Sequence, residues 1–536
     1  MTFGGLHMTK GTATELYQAL WNSADVLRSK MDASEYKNYL LGLIFYKYLS
    51  DTMLVHSSEM LDEKTENLDE ALDMYREAYA DDEFSEEFQS ALVYEMSYRI
   101  KPELTFSALM EEINNHTFQR EHLQQGLRDI EQSSNVFEDL FEDIDLNSKK
   151  LGATPQKQND TISQVMKALD NLNLANYDGD ALGDAYEYLI GQFAEDSGKK
   201  AGEFYTPSQV STLMTRIALA NKEDKKGLTV YDPTMGSGSL LLNASKYSNE
   251  ASTIRYFGQE LNTSTYNLAR MNMFLHNVDP ENQTLRNGDT LDADWPQDEP
   301  TNFDAVLMNP PYSAKWSAAK GFLDDPRFAS YGVLPPKSKA DFAFLLHGYF
   351  HLKNDGKMAI VLPHGVLFRG AAEGKIRKAL LEQGAIDTVI GLPANIFFNT
   401  SIPTTVVILK KNRDSRDVLF IDASNEFTKV KNQNKLEEKH LDKIYETYLK
   451  RDDVEKYSHV ATYEEIEEND FNLNIPRYVD TFEEAEPIDV VALKDEMKQT
   501  DQEIEAVSKE LLAMVDDLEV TDDTKDIIDA LKEVLG

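Results

Sequence analysis

The sequence predicts an α/β fold: a Rossmann-like, mainly parallel sheet, preceded by a helical domain and followed by a heptad helix. Three observations predict it. Helical spacing marks residues 10–150, with glycine scarce from 43 to 125. From about residue 200, short apolar or β-branched runs alternate with helical stretches, the pattern of βα units. A series of apolar residues stepping by three and four runs near the C-terminus.

The first helix is expected over 15–30, with Leu16, Leu20, Ala24 and Leu27 on one face, and the second over 36–54, with Leu40, Leu43, Ile44, Tyr48 and Leu49. Pro102 is the only proline before Pro155. The acidic run at 81–87 reads as a solvated helix face. Residues 147–160 are polar and contain Gly152 and Pro155, which makes them a candidate linker. The expected division is therefore 10–150, an N-terminal helical domain; 156–480, the sheet domain; and 487–536, a helical tail. Strands are expected at 228–231, 253–257, 303–308, 357–362, 386–391 and 404–410. In the tail, Val490, Leu493, Met497, Thr500, Ile504, Val507, Leu511, Met514 and Leu518 form a seam with one polar position. That seam is too apolar to remain uncovered in a soluble monomer.

Composition narrows the function. A chain of 536 residues implies two or three domains. It has no cysteine, which excludes disulfides, thiolate chemistry and cysteine-ligated zinc, and no metal site is expected. The apolar runs, such as 40–45, are far too short to span a membrane, and no secretory signal is visible. A cytoplasmic location is expected. The net charge is −40, with 54 basic against 94 acidic residues. DNA affinity comes largely from cations on phosphates, so a DNA-directed role would need a basic partner.

The ends of the expected strands carry the chemistry. In the segment 230–241, a strand runs into a glycine turn and then a helix. Gly236 and Gly238 let the backbone pass close to a ligand, with Ser237 and Ser239 beside them, and Asp232 can accept from a cationic amine. The next strand ends in Glu260, placed to hold both hydroxyls of a ribose, and Asp289 follows a further strand, where it can accept from an adenine amino group. No lysine follows the glycines, as a phosphate loop would require. Carboxylates around a glycine turn suit a cationic, phosphate-free nucleoside, and S-adenosylmethionine meets that description.

The most specific string is Asn309-Pro310-Pro311-Tyr312, at the end of an apolar strand. Its prolines fix the backbone. The Asn309 amide oxygen and the Pro310 carbonyl can accept both hydrogens of one exocyclic amine, localising its lone pair towards an incoming methyl group. Tyr312 supplies an aromatic face for the base. A base inside a duplex cannot reach such a site, so it must be flipped out. Phe397 and Phe398 lie in a polar stretch and are each either core residues or stacking partners for that base.

In this order, these strings resemble DNA amino-methyltransferases whose cofactor motifs precede the catalytic one. They most resemble the methylation subunits of type I restriction-modification systems. The resemblance extends over about residues 10–480 and includes 202–208, 232–238, 309–312 and 392–397. It implies a Rossmann-like S-adenosylmethionine-dependent methyltransferase sheet. It also implies that Glu203, Phe204, Tyr205, Thr206, Pro207 and Ser208 wrap the methionine end of the cofactor; from the residues alone this stretch reads only as a helix entry with Pro207 in the first turn. Thr234 and Met235 stand where small residues are common in the family. Asn at 309 resembles adenine-N6 enzymes, whereas cytosine-N4 enzymes tend to have Ser. The resemblance implies a specificity subunit that reads the sequence, a second methylation subunit, a restriction subunit in the full complex, and double-stranded DNA with a flipped adenine. An acidic chain is compatible with that assembly. A stand-alone methyltransferase would need a basic target-recognition segment, which is not visible. A protein-glutamine methyltransferase would suit the same motif but is generally shorter and lacks the helical front. A structural clamp with a dead site is opposed by the complete motif set, and no nuclease cluster or helicase phosphate loop is seen.

Overall fold

The structure, a computed structural model, describes residues 13–177, 179–196, 205–292, 302–397, 401–430, 433–481, 490–521 and 524–535. The chain forms two compact units, residues 1–480 and 481–536.

The first unit opens with helices. The expected first helix is divided into Ala13–Ser23 and Asp25–Arg28, with the Ser23 hydroxyl donating to the Leu20 carbonyl at the break. The second is longer than its apolar pattern, Ala33–Met60, and its buried Leu40, Leu41, Leu43, Ile44, Phe45 and Tyr46 point in nearly every direction. A helix apolar all round is a central one, and this one lies inside a core shared with the surrounding helices. Its buried Lys47 pairs with Asp51 at 3.0 Å, and Asp51 also accepts from the Leu174 backbone N–H at 3.0 Å, so neither charge is stranded.

Residues 147–160 are not a linker. Thr154 caps a helix, Pro155–Asp170, through the Lys157 N–H. The buried Gln158 amide donates to the carbonyls of Asn147, Ser148 and Gly152, which gathers the preceding turn against the helix. The helical core continues through Gly179–Asp196 and takes in Leu268, Met271 and Leu275 from a helix of the sheet region.

The sheet contains β1 (Thr229–Asp232), β2 (Arg255–Glu260), β3 (Gln283–Asn287), β4 (Phe303–Met308), β5 (Leu352–Pro363), β6 (Ile386–Gly391), β7 (Thr404–Lys410) and β8 (Val418–Asp422). A small hairpin, β9 (Thr428–Val430) and β10 (Gln433–Lys435), stands apart, and β11 (Ser458–Ala461) closes the sheet. Among the described residues its order is β11-β8-β6-β7-β5-β4-β1-β2-β3. The run from β5 to β3 is parallel, whereas β7 lies antiparallel between β5 and β6. Strand β4 is buried throughout, as expected of a strand covered on both faces. The fold is thus the expected α/β sheet with a helical front. Order reverses at β1, between β4 and β2, and that switch point is where an open α/β sheet offers a crevice.

In the second unit, helix Val490–Asp516 meets helix Lys525–Leu535, burying Val515 and Ile528. The seam residues Val490, Leu493, Met497, Ile504, Val507, Leu511, Met514 and Leu518 are each more than 40% exposed. No described helix is long and apolar enough to cross a membrane.

Candidate active site

A cavity of about 440 Å³ opens at the carboxyl ends of β1, β2 and β4. Its polar wall comes from the sheet: Thr234, Gly236, Ser237, Glu260, Asp289 and Asn309. Its apolar wall includes Leu41, Ile190 and Phe193 from the helical front, with Leu261, Leu268 and Phe344 from the sheet region. Lys37 is a cation on the same helical wall.

The glycine turn has the conformation its residues require. Gly236 and Gly238 both have positive φ, 54° and 81°, where a side chain is strained. A Cβ on Gly236 would meet no protein atom within 4 Å. Gly238 is the N-cap of the short helix Ser239–Leu242, and the Ser237 and Ser239 hydroxyls lie 2.9 Å apart. Glu260 ties this turn to β2: Oε2 accepts from the Gly236 N–H at 3.0 Å and Oε1 from the Asn262 N–H at 2.8 Å. Both oxygens are therefore held in place at the cavity wall. Asp289 is exposed on the same wall, its Oδ1 accepting from the Leu291 N–H at 2.9 Å.

Asp232 is placed differently from its sequence expectation. It is buried behind the turn, and its Oδ1 accepts from both the Thr234 N–H and hydroxyl; Thr234 faces the cavity in its stead. Burial, with a smaller contribution from the Glu260 charge, pushes the Asp232 carboxyl up to about 8.

Asn309 sits at the end of β4, with Pro311, on the cavity wall. Its amide is oriented at both ends. Nδ2 donates to Thr206 Oγ1 at 3.0 Å, and Oδ1 accepts from the Tyr312 hydroxyl at 3.0 Å. Burial holds the Tyr312 hydroxyl far above its ordinary pKa, so it remains a donor. Pro310 is buried and Pro311 exposed. Tyr312 meets Phe397 edge to face, with ring centroids 6.2 Å apart. Phe397 is only 3% exposed and belongs to the core beside the sheet. Phe398, Glu203 and Phe204 lie outside the described residues. Tyr205 lines the cavity, and burial raises its hydroxyl pKa. Thr206 is turned towards Asn309, Pro207 is the N-cap rather than a first-turn residue, and Ser208 begins helix Ser208–Leu219.

The family model described as N-6 DNA Methylase matches residues 177–487, and that of the HsdM N-terminal domain matches residues 16–169. The chain is 34% identical over 534 residues to the type I restriction enzyme MpnII methylase subunit of Mycoplasma pneumoniae, covering 95% of this chain and 97% of the relative. The chain belongs to the family of type I restriction enzyme methylase subunits. It is 31% identical to the MjaVII methylase subunit of Methanocaldococcus jannaschii, over 95% of this chain and 85% of that one. A crystal structure of the type I restriction-modification methyltransferase subunit from Streptococcus thermophilus is 69% identical, with a TM-score of 0.86, over 88% of this chain and all of the other. The sequence resemblance is thereby borne out, and the chain is an enzyme of the adenine-specific DNA methyltransferase class.

In this methylase subunit, sequence reasoning missed the apolar wall. Leu41, Ile190 and Phe193 follow the same helical spacing as core residues, and nothing local distinguishes them. Leu261 did carry a signal: a large apolar residue directly after the strand-end Glu260, 66% exposed in the fold.

Proposed function

We propose that the chain methylates N6 of adenine in double-stranded DNA with S-adenosylmethionine, as the modification component of a type I complex. A separate specificity subunit would read the sequence, beside a second methylation subunit and, in the full complex, a restriction subunit. The observation that carries this reading is the Asn309 amide, fixed by Thr206 and Tyr312 on the wall of the cavity that also holds Gly236 and Glu260.

The residues fit the cofactor. Glu260 and Asp289 are acceptors for hydroxyl and amino groups, and Leu41, Phe193, Leu261 and Leu268 offer apolar surface for an adenine ring. Lys37 is a cation for a carboxylate. The bound cofactor would supply the methyl group from its sulfonium.

The chain's own part is orientation. A flipped adenine would lie against Tyr312, which Phe397 backs. Asn309 Oδ1 and the Pro310 carbonyl would each accept one hydrogen of the adenine amine. Two fixed acceptors favour a tetrahedral nitrogen and direct its lone pair at the methyl group. The extra proton leaves after transfer, so no strong base is needed beforehand. The charge of −40 is consistent with a partner supplying much of the grip on phosphate.

The test is transfer of tritiated methyl groups to adenine-containing DNA, with and without the cognate specificity subunit. Label in DNA that depends on the subunit and on Asn309 is expected. Label in a glutamine-containing protein substrate but not in DNA would overturn the reading.

A further inference from the structure

Beside the glycine turn, two helices bring together groups that the proposed reaction does not use. Asp184 and Glu187 belong to helix Gly179–Asp196, three residues apart and so on one face. His276 is the C-cap of helix Thr263–Leu275. One carboxylate oxygen from each acid and one ring nitrogen of His276 all lie within 4.8 Å of one another.

The tautomer of His276 follows from its partner. Nδ1 lies 3.0 Å from the Asn272 carbonyl oxygen, which can only accept, so Nδ1 carries the hydrogen and, in the neutral ring, the lone pair is on Nε2. Nε2 is shut away from solvent and has no hydrogen-bond partner. A buried acceptor left in this way is costly unless something occupies it. The ring edge lies against the acidic helix: a Cβ on Gly183 would come within 2.8 Å of both ring nitrogens. Asn272, fully buried, donates from Nδ2 to the Ser237 carbonyl at 3.0 Å and reaches Glu187 Oε1 at 3.4 Å, and its own Oδ1 has no partner. An imidazole whose second nitrogen is fixed by a carbonyl, beside an acid held by an amide, is the arrangement that protein metal sites use.

We propose that Asp184, Glu187 and His276 bind one divalent transition-metal cation, of which zinc is the type, tying helix Gly179–Asp196 to helix Thr263–Leu275 next to the glycine turn. The imidazole selects such ions over magnesium and calcium, which take oxygen ligands. Bonds of about 2.1 Å to a shared ion put ligand atoms no more than about 4.2 Å apart, so the three groups, within 4.8 Å of one another, draw together on binding. The role is structural, because the ion would join the helical front to the sheet region. Lys246 competes for it: its Nζ pairs with Asp184 at 3.1 Å.

The experiment uses the full chain, stripped with chelator and titrated with zinc chloride by calorimetry and thermal melting. Cobalt(II) serves as a spectroscopic probe. One equivalent of zinc should bind and raise Tm, with magnesium inert at the same concentration. His276→Ala and Glu187→Gln should each weaken binding at least tenfold. His459→Ala should not, because both nitrogens of His459 are already paired with Asp453 and Glu465. Lys246→Met removes the competing cation and should tighten binding, a gain that damage to the fold would not produce. Absence of one-to-one zinc binding by the full chain overturns the proposal. So does zinc binding that is unchanged in both Glu187→Gln and Lys246→Met.

Discussion

The Asn309 side-chain amide donates to the Thr206 hydroxyl across 3.0 Å, so a residue before the first helix of the sheet region fixes the direction of the amide at the end of β4. Thr206→Val removes this acceptor and keeps the shape. The turnover number should fall about tenfold, the effect of one lost hydrogen bond, while cofactor affinity changes less than threefold. A collapse of cofactor binding would place Thr206 in the cofactor's own shell.

Asn309→Ala and Tyr312→Ala should abolish methyl transfer and leave cofactor affinity within about tenfold, because both act on the target base. Tyr312→Phe separates ring from hydroxyl. It should retain measurable turnover, since the aromatic face remains. Single-turnover assays with saturating DNA, alongside calorimetry of the cofactor, read the two effects separately.

Glu260→Ala should weaken S-adenosylmethionine binding by roughly 2–4 kcal/mol through loss of charge-assisted hydrogen bonds. It also frees the Gly236 N–H, so the variant's Tm should be compared without ligand. Unchanged affinity by calorimetry would remove Glu260 from the site.

Asp232 predicts a pH dependence. Its carboxyl, pushed to about 8 by burial, keeps a proton in the folded chain that the unfolded chain loses near the ordinary value of 3.8. Across that window the folded state binds more protons, so this group's contribution to stability declines as pH rises to about 8 and is level above it. Asp232→Asn keeps the oxygen that Thr234 uses but has nothing to titrate. The Tm of the variant should gain on that of the parent between pH 5 and 8, and the gap should then hold steady. A gap independent of pH would mean that Asp232 is ionised throughout.

Truncation after about residue 486 should leave a folded, cofactor-binding chain that no longer assembles with the specificity subunit or methylates DNA. The exposed seam from Val490 to Leu518 motivates this: at 1.5 Å per residue it is a strip about 45 Å long. Co-elution of the truncated chain with that subunit on size exclusion would move the main dock elsewhere.

Three strands of the sheet, one of which carries Asn309 at its end, were legible because burial on both faces makes them largely apolar runs. Phe303–Met308, Ile386–Gly391 and Thr404–Lys410 have their expected bounds. Their directions were not legible, since alternation does not show that β7 runs against its neighbours. The polar stretch 147–160 read as a linker because its side chains are those of loops; in the fold, Gln158 uses its polarity on internal carbonyls. Phe397 was open between core and stacking, and only the packing against Tyr312 shows it buried. The helical wall of the cavity left no trace in the sequence, because a residue that lines a ligand and one that lines a core obey the same periodicity.

That shared wall bears on inhibition. A compound that fills only the sheet side, against Gly236 and Glu260, addresses features repeated in many nucleoside-binding α/β enzymes. One extended across the cavity to Leu41, Ile190 and Phe193 would contact a helical layer that enzymes without this front do not possess. Selectivity would then come from the part of the chain that carries none of the chemistry.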